Sequence, residues 1–231
     1  MGAPAPVARP RSEGGQVIAV FGSRADAGVA VIAAALALAF RSLGSDSVGL
    51  AELDPRMSVA KTRARGVAGA SDRTADGAEP IPILGTDAAL VKREDGVWTL
   101  AMVRPRSASA SDAKAVTMTI DAMRERFPMN VAALGHQVNE RTLAAFDAAD
   151  RIVIVTEGAV PSLRGTQRVL RLCHRLNYPD EKMCVVVNRF DAPGALAVAD
   201  ISAALRREVY WKLPVGPPGD LSALASRLLE R

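Results

Sequence analysis

The chain has 231 residues, a length that suits one large α/β domain better than two small ones. Apolar residues make up 49% of it and aromatic residues only 4%, so alanine, valine and leucine must carry most of the packing. The formal net charge is +4, and the sequence contains no block of like charges. Neither feature requires nucleic acid as a partner.

The cysteines and the chain ends narrow the class of protein further. Cys173 and Cys184 stand alone, without a CxxC pair or clustered histidines, which argues against a metal site or a disulfide framework and favours a reduced, cytoplasmic compartment. The opening MGAPAPVARPRSEGG lacks the apolar stretch of a secretory signal, so residues 1–15 are predicted to be a flexible tail before a domain over 16–231. The longest apolar run, Ala27–Phe40, is shorter than the ~20 residues that span a bilayer.

The first predicted elements form a strand–loop–helix–strand unit. Gln16–Phe21 is a short apolar run typical of a buried strand, and the loop GSRADAG follows it. Val29–Leu43 is rich in alanine and leucine and stops at Gly44, which predicts a helix with a glycine end. Ser47–Leu53 predicts the next strand, and such a unit opens a parallel sheet.

The middle of the chain has weaker patterns. From Lys61 to Pro82 the residues are mainly Arg, Gly, Ala, Ser and Asp, which predicts a short helix and then a mobile loop. Gly85–Leu90 is interpreted as a helical turn and Val97–Met102 as a strand. Ser111–Phe127 has the apolar spacing of an amphipathic helix.

The second half alternates strands with helices. Predicted strands are Asn130–Leu134, Arg151–Thr156, Met183–Asn188 and Val209–Leu213, and predicted helices are Glu140–Ala149, Ser162–Leu176, Ala199–Arg206 and Leu221–Leu229. The alternation indicates an α/β fold in three layers, with a parallel-dominated sheet flanked by helices.

The loop after the first strand is where such a sheet usually binds phosphate. A working P-loop needs glycines for close backbone approach, a lysine for the terminal phosphates and a Ser or Thr hydroxyl for Mg²⁺. In GSRADAGVAV, Gly22 and Gly28 are present, and the helix that starts after Gly28 offers its positive end. The lysine position holds Val29 and the hydroxyl position holds Ala30.

Residues 16–40 resemble the start of MinD/ParA-type P-loop ATPases, whose deviant Walker A motif reads GxKGGVGKTT. In that register Arg24 stands at the signature lysine, while Ala25 and Asp26 replace two glycines. The following AELDPR is similar to the family's VDxDPQ strand end, with Glu52 in place of the first aspartate and Asp54 retained.

The second half resembles one branch of that family, the pilus-assembly proteins TadZ and CpaE. This likeness is carried by the segments NERTLAAFDAAD, PSLRGTQRVL, LNYP and VVNRFD. The family resemblance as a whole extends over roughly residues 16 to 215. Within it, Ala133 occupies the position of the switch II aspartate, and Asn188 and Arg189 stand where the family holds the adenine base.

The resemblance implies a pseudo-ATPase. Loss of the lysine, the hydroxyl and the aspartate removes the charge stabilisation on which phosphoryl transfer depends, so no catalytic residue, no metal site and no ATP or Mg²⁺ cofactor are expected. A vestigial nucleotide site would consist of Gly22, Ser23, Arg24, Gly28, Asp54, Asn188 and Arg189.

The implied role is that of a localisation or scaffold factor for a pilus or secretion apparatus. The chain would work in the cytoplasm, at the inner membrane or the cell pole, and would bind other proteins of that apparatus. It would act as a homodimer, and the loop residues Ala25, Ala27 and Val29 are expected to support dimerisation without ATP.

Two alternative functions stay open. One is a slow ATPase in which Arg24 replaces the lysine, although arginine and lysine are not equivalent at such a site. The other is a ParA-like DNA-partitioning factor, which the small net charge supports only weakly, so nucleic acid is not the favoured partner.

Several residues also have simpler interpretations. Arg24 alone in a loop is equally compatible with a solvated side chain, and Asn188 with a strand-end turn. Four arginines, at 164, 168, 171 and 175, lie on one helix face, as a partner surface or as a solvated face. The leucine stripe of the last helix favours packing on the sheet over membrane targeting.

Overall fold

A computed structural model describes residues 14–54, 78–83, 86–92, 95–105 and 112–230. The strands are β1 (Gln16–Gly22), β2 (Val48–Glu52), β3 (Ala78–Ile83), β4 (Thr86–Lys92), β5 (Val97–Pro105), β6 (Met129–Ala133), β7 (Arg151–Glu157), β8 (Met183–Asn188) and β9 (Trp211–Lys212). The α-helices are α1 (Val29–Ser42), α2 (Asp112–Arg126), α3 (Glu140–Ala148), α4 (Val160–Arg175), α5 (Val198–Leu205) and α6 (Ser222–Leu229), and a short 3₁₀ helix covers Asp180–Lys182.

All of the strands join one sheet in the order β3-β4-β5-β2-β6-β1-β7-β8-β9. The seven strands from β5 to β9 in that order run parallel, and β3 and β4 add an antiparallel hairpin at one edge. Strand β1 lies between β6 and β7, with Val20 opposite both Ala133 and Val153. The first loop of the chain therefore leaves the sheet close to its middle.

The two faces of the sheet are covered by different helices, as the alternation of side chains in β1 shows. Val17, Ala19 and Phe21 point into the apolar cluster under α2, α3, α4 and α5, whereas Ile18 and Val20 point into the cluster under α1 and α6. The expected three-layer α/β fold with a parallel-dominated sheet is confirmed.

The helix that follows the first loop packs closely because its inward side chains are small. Ala33 and Ala37 are fully buried against the sheet, and Phe40 fills the far end of the same face. Helix α6 lies beside α1 and buries Leu224 and Leu228, with Leu221 buried just before it, as expected for packing on the sheet, whereas Leu229 of the same stripe is 36% exposed. Within the described ranges, no helix combines the length and the apolar character that a bilayer span requires.

Two predictions for the middle of the chain are wrong. Residues 78–82, expected in a loop, belong to β3, and Gly85–Leu90, expected as a helical turn, is largely β4. Pairing with β5 decides the conformation of β4, because its Asp and Ala residues have little strand propensity of their own. Strand β3 tolerates Pro80 and Pro82 because it is an edge strand, where alternate N–H groups need no partner.

The remaining boundaries agree within a few residues. The predicted tail lies outside the described residues except for Gly14 and Gly15, and so does the short helix expected after Lys61.

Candidate functional site

The predicted site residues come together at the carboxyl edge of the sheet. The loop after β1 holds residues 23–28, the loop after β2 holds Asp54, and Asn188 ends β8 beside Arg189. The carboxyl ends of parallel strands form one edge, which is where open α/β sheets bind their ligands. The residues expected from the sequence therefore lie at one edge of the sheet, and their role as a site stays a prediction.

The sheet itself fixes the beginning of the loop. The Gly22 N–H donates to the Gly135 carbonyl at 3.1 Å, and the Ser23 N–H donates to the Val155 carbonyl at 2.9 Å. Farther along, the Ala27 N–H donates to the Arg24 carbonyl at 3.3 Å and closes a tight turn. Each of these N–H groups is therefore used by the protein and is not available to a phosphate.

Gly28 turns the chain into α1. Its φ of 89° lies in the left-handed region, which a glycine adopts without strain. A Cβ at this position would also lie 2.8 Å from Asn188 Nδ2, so glycine is required for space as well as for conformation. The first turn of α1 contains no acidic residue and no side chain caps it, so the positive helix end faces the loop.

Val29, at the lysine position, lies under the loop and not in it. Its side chain is only 6% exposed and belongs to the apolar cluster between α1 and the sheet. The Cγ2 atom lies 2.7 Å from where a Cβ at Gly22 would be, so the valine fills the space directly beneath the start of the loop. The side chain that would reach the terminal phosphates in a working P-loop is replaced by a core contact.

Arg24 and Asp26 form the charged part of the loop. Arg24 Nε donates to Asp26 Oδ1 at 3.2 Å, and the two side chains are 47% and 59% exposed. The hydrogen bond from Arg24 holds the pKa of the Asp26 carboxyl below its ordinary value, so Asp26 is ionised at neutral pH. The loop thus carries a neutralised pair at the position of the signature lysine.

Asn188 and Arg189 contact the loop directly. Asn188 Nδ2 donates to the Ala27 carbonyl at 3.0 Å. Arg189 Nη1 donates to the Asp26 carbonyl at 3.3 Å and forms an ion pair with Glu157 Oε1 at 2.5 Å. The two residues expected at an adenine base therefore anchor the loop to the ends of β7 and β8.

Asp54 packs on the loop that follows β6. It is 9% exposed, and its Oδ2 lies 1.8 Å from the position of a Cβ at residue 135. A side chain at 135 would therefore require Asp54 or the loop to shift. Arg141 Nη2 donates to the Leu53 carbonyl at 3.0 Å and holds the end of this same strand.

Ser23 links the loop to α4. Its hydroxyl donates to Thr156 Oγ1 at 3.4 Å, and its carbonyl oxygen lies 2.8 Å from the position of a Cβ at Gly165. A glycine in the second turn of α4 therefore allows this helix to lie against the loop.

The side chains at this edge do not fit a magnesium–nucleotide complex. Val29 offers no cation, Ala30 offers no hydroxyl, and Ala133 is a fully buried methyl group inside β6. The described ranges contain no group of three His, Cys, Asp or Glu side chains arranged to hold a metal ion. The charge that these positions supply in phosphoryl transfer is missing from this chain.

The dimer surface expected from the loop needs a correction. Ala27 and Val29 are buried in the core and cannot contact a second copy, which leaves Ala25 as the exposed member of the three. They are buried because the turn at Gly28 directs α1, with Val29 at its start, into the sheet.

Comparisons with known proteins agree with this geometry at the level of the fold. No protein-family model matches the chain, and no curated protein matches it in sequence. Solved structures, however, match the chain in three-dimensional structure. A ParA-family ATPase from Chlorobium tepidum TLS superposes with a TM-score of 0.69 at 16% identity, over 95% of this chain and 99% of that one. The chain has the MinD/ParA fold.

Two MinD structures support the same assignment. The MinD cell division protein of Aquifex aeolicus has a TM-score of 0.64 at 20% identity, covering 92% of this chain and 86% of that chain. The septum site-determining protein MinD of Pyrococcus horikoshii OT3, complexed with Mg-ADP, has a TM-score of 0.68 at 13% identity over 87% and 82%. The MinD/ParA fold is thus present here with a first loop whose side chains differ from a working P-loop.

Sequence reasoning missed several residues of this edge. Glu157 pairs with Arg189, Gly135 makes room for Asp54, and Gly165 makes room for Ser23. The two glycines carry a weak signal, since a glycine inside a helix or directly after a buried strand often marks a close approach. Glu157 carries none, because an acidic residue at a strand end is common.

Proposed function

We propose that this chain is a non-hydrolysing MinD/ParA-fold protein that acts as a localisation or scaffold factor for a pilus or secretion apparatus. The fold supplies the framework, and the TadZ/CpaE-like segments of the second half supply the functional branch. The proposal rests on this combination and not on the fold alone, because one fold serves many functions.

The observation that carries the proposal is the position of Val29. A valine that packs beneath Gly22 leaves the loop without the cation that contacts terminal phosphates. Electrostatic stabilisation is the main contribution of a protein to phosphoryl transfer. With Ala30 and Ala133 at the two positions that serve Mg²⁺, the edge has lost the chemistry of hydrolysis while its backbone framework persists.

Hydrogen bonds within the protein support a loop that holds its shape without nucleotide. Asn188 and Arg189 bind the carbonyls of Ala27 and Asp26, and the sheet binds the N–H groups of Gly22 and Ser23. A loop held from both sides can present a constant surface to a partner at any nucleotide concentration.

A homodimer across this edge is part of the proposal. Val138, in the loop after β6, and Val160, the first residue of α4 after β7, are 41% and 51% exposed and lie at the same edge as Ala25. Exposed apolar side chains at one edge favour a protein contact there. Analytical ultracentrifugation without nucleotide should show a dimer that Val160→Asp weakens, whereas Leu43→Asp, an exposed apolar position at the end of α1, leaves it unchanged.

A nucleotide-binding, slowly hydrolysing ATPase is the second candidate. Arg24 is exposed in the loop and close to the start of α1, and the Pyrococcus horikoshii neighbour is complexed with Mg-ADP. A structural neighbour from Mycobacterium smegmatis, a cobyrinic acid a,c-diamide synthase, has a bound ATP analogue and magnesium. Phosphate release faster than background, abolished by Arg24→Ala, would favour this candidate over the scaffold.

The scaffold role is tested by deletion of the gene in the bacterium that carries it. Loss of surface pili or of secretion, restored by the wild-type chain and equally by Arg24→Ala, is the expected result. Unchanged assembly in the deletion strain, or rescue that requires Arg24, contradicts a nucleotide-free scaffold.

A further inference from the structure

The outer face of α4 carries a row of arginines that the candidate site does not use. Arg164, Arg168, Arg171 and Arg175 are all exposed. They follow each other at i, i+4, i+7 and i+11, so they lie along one side of a helix at steps of roughly 6, 4.5 and 6 Å. These four residues are called the arginine row below.

The arginine row is not neutralised by its surroundings. None of the four guanidinium groups forms an ion pair within the part of the chain that the structure describes. Asp180, a carboxylate just beyond the end of the helix, already contacts His174 at 2.9 Å and Arg207 at 2.7 Å. Four like charges at neighbouring helical positions repel each other, so the row lowers the stability of α4 unless a partner compensates it.

The opposite face of the same helix is an ordinary core face. Leu163, Val169, Leu170 and Cys173 are buried against the sheet, and Thr166 donates to the Ser162 carbonyl inside the helix. Gly165 rests against the Ser23 carbonyl, and Gln167 donates to the Ala204 carbonyl. The backbone of α4 is therefore fixed at both sides, and the arginine row is displayed on a rigid support.

The residues between the arginines narrow the chemistry of the partner. Between the arginines the exposed face carries the polar Gln167 and His174, with Leu172 half-buried, and the exposed apolar Val160 lies a full turn before Arg164 at the start of the helix. The row itself therefore offers little apolar surface for insertion into a bilayer. The helix contains no Phe, Tyr or Trp on which a nucleic-acid base could stack. The row is a straight series of planar donor groups, which match carboxylates and phosphates in a bidentate manner, and its i, i+4, i+7 and i+11 spacing matches carboxylates carried by a second helix.

We propose that the arginine row of α4 is a docking surface for an acidic helix of a partner protein, with glutamates or aspartates at the same i, i+4, i+7 and i+11 spacing. A second helix laid alongside α4 presents its carboxylates at the same axial steps, so each guanidinium meets one carboxylate. The surface is separate from the β1–α1 loop, and the inference does not depend on whether a nucleotide binds there.

The test uses the full chain and two synthetic peptides. The probe is a fluorescein-labelled, alanine-rich helical peptide with glutamates at the four positions, and the control peptide has glutamines there. Fluorescence anisotropy at low salt should show binding of the glutamate peptide only, with affinity that falls as salt is raised. Absence of binding by the glutamate peptide at millimolar protein, or equal binding of both peptides, overturns the proposal.

Matched variants locate the binding surface. Arg168→Gln with Arg171→Gln should weaken binding about tenfold, while Lys114→Gln with Lys212→Gln, which removes the same charge from exposed positions elsewhere, should change it less than about twofold. The charge-reversed pair Arg168→Glu with Arg171→Glu should instead bind a lysine version of the peptide. An equal loss in the lysine variants overturns the assignment to α4.

Two competitors separate the acidic helix from other anions. Vesicles of phosphatidylcholine with phosphatidylglycerol and a short DNA duplex are offered to the wild type and to the double arginine variant. Binding of either competitor more tightly than the glutamate peptide, with loss in the arginine variant, assigns the row to a membrane or to nucleic acid and overturns the proposal. Weak binding of both, unaffected by the arginine variant, supports it.

Discussion

Charged residues differ between the two ends of the parallel strands, the amino edge and the carboxyl edge of the sheet. At the amino edge, Arg124 donates to the Gly15 carbonyl at 2.6 Å and pairs with Asp150 at 2.9 Å, and Asp150 also accepts the Val17 N–H at 2.7 Å. At the carboxyl edge, the positions of a working phosphate site hold Val29 and Ala133, both buried. Charged side chains thus hold the fold at the amino ends of the strands, whereas these two positions at the carboxyl ends hold apolar side chains.

Position along the strands distinguishes polar residues that stabilise the fold from those at the candidate site. Asp150 fits the TadZ/CpaE pattern as well as Asn188 does, yet it serves the entry of β1 into the sheet, far from the site edge. Agreement with a family pattern therefore does not by itself separate a binding residue from a folding residue; the position along the strands does.

The largest expected effect is at the amino edge. Arg124→Ala removes a largely buried guanidinium that donates to two carbonyl groups and to Asp150, which then keeps the Val17 N–H as a donor. The free energy of unfolding should fall by about 3 kcal/mol. Urea denaturation measures it, with Lys114→Ala on the exposed face of the same helix as the control, expected to change stability by less than about 0.5 kcal/mol. Similar values for the two variants would contradict a structural role for this edge.

A second prediction concerns the fit between Asp54 and Gly135. Gly135→Ala places a methyl group 1.8 Å from Asp54 Oδ2, so the loop must shift and stability should fall by about 2 kcal/mol. In an Asp54→Ala background the same substitution should cost less, and the double-mutant cycle should give a coupling of about 1 kcal/mol. Additive effects would show that the two residues do not share this space.

A third prediction, with a smaller expected effect, concerns the attachment of the β1–α1 loop to β8. Asn188→Ala removes the buried hydrogen bond to the Ala27 carbonyl, and stability should fall by about 1–2 kcal/mol. Amide hydrogen exchange should increase at Ala27 and Ile32, whose N–H groups bond within this turn. Glu125→Ala, on the exposed face of α2, serves as the control for exchange at these two amides and should leave it unchanged.

The smallest expected effect is at the exposed pair of the loop. Arg24 holds the pKa of Asp26 below its ordinary value. The pair therefore stabilises the folded protein fully at any pH above that ordinary pKa. This stabilisation is lost as the pH falls through the lowered pKa, below about pH 4. Arg24→Gln should raise the pKa of Asp26, measured by NMR titration, with almost no change in stability at pH 7. An unchanged pKa would contradict the pairing.

Much of the fold follows from the sequence because its central strands are continuous apolar runs. The central residues of Arg151–Glu157 and Met183–Asn188 are buried on both faces of the sheet and are valine, isoleucine, threonine and cysteine. Strands β3 and β4 could not be predicted in this way. They lie at the edge, where pairing across the hairpin and with β5 sets the conformation and local propensity is weak.

The site was predicted in part for a similar reason. The family resemblance identified the residues, and the parallel order of the strands placed their strand ends together; the residues are Gly22, Gly28, Asn188 and Arg189. Their contacts with one another were not predictable, since nothing in the order of residues shows that Asn188 reaches the Ala27 carbonyl across the sheet edge. The burial of Ala27 and Val29 was missed for the same reason, because it depends on the direction in which Gly28 turns the chain.

The most direct test of the central claim is calorimetric titration of the purified chain with ATP and with ADP, each with and without Mg²⁺. The variant Val29→Lys with Ala30→Thr, which restores the two lost side chains, is titrated beside it. The account predicts no binding to the wild-type chain at millimolar nucleotide, since Val29 lies beneath Gly22 and the loop has no cation of its own aimed at a terminal phosphate. Micromolar, Mg²⁺-dependent binding to the wild-type chain would contradict it and make Arg24 the first residue to substitute.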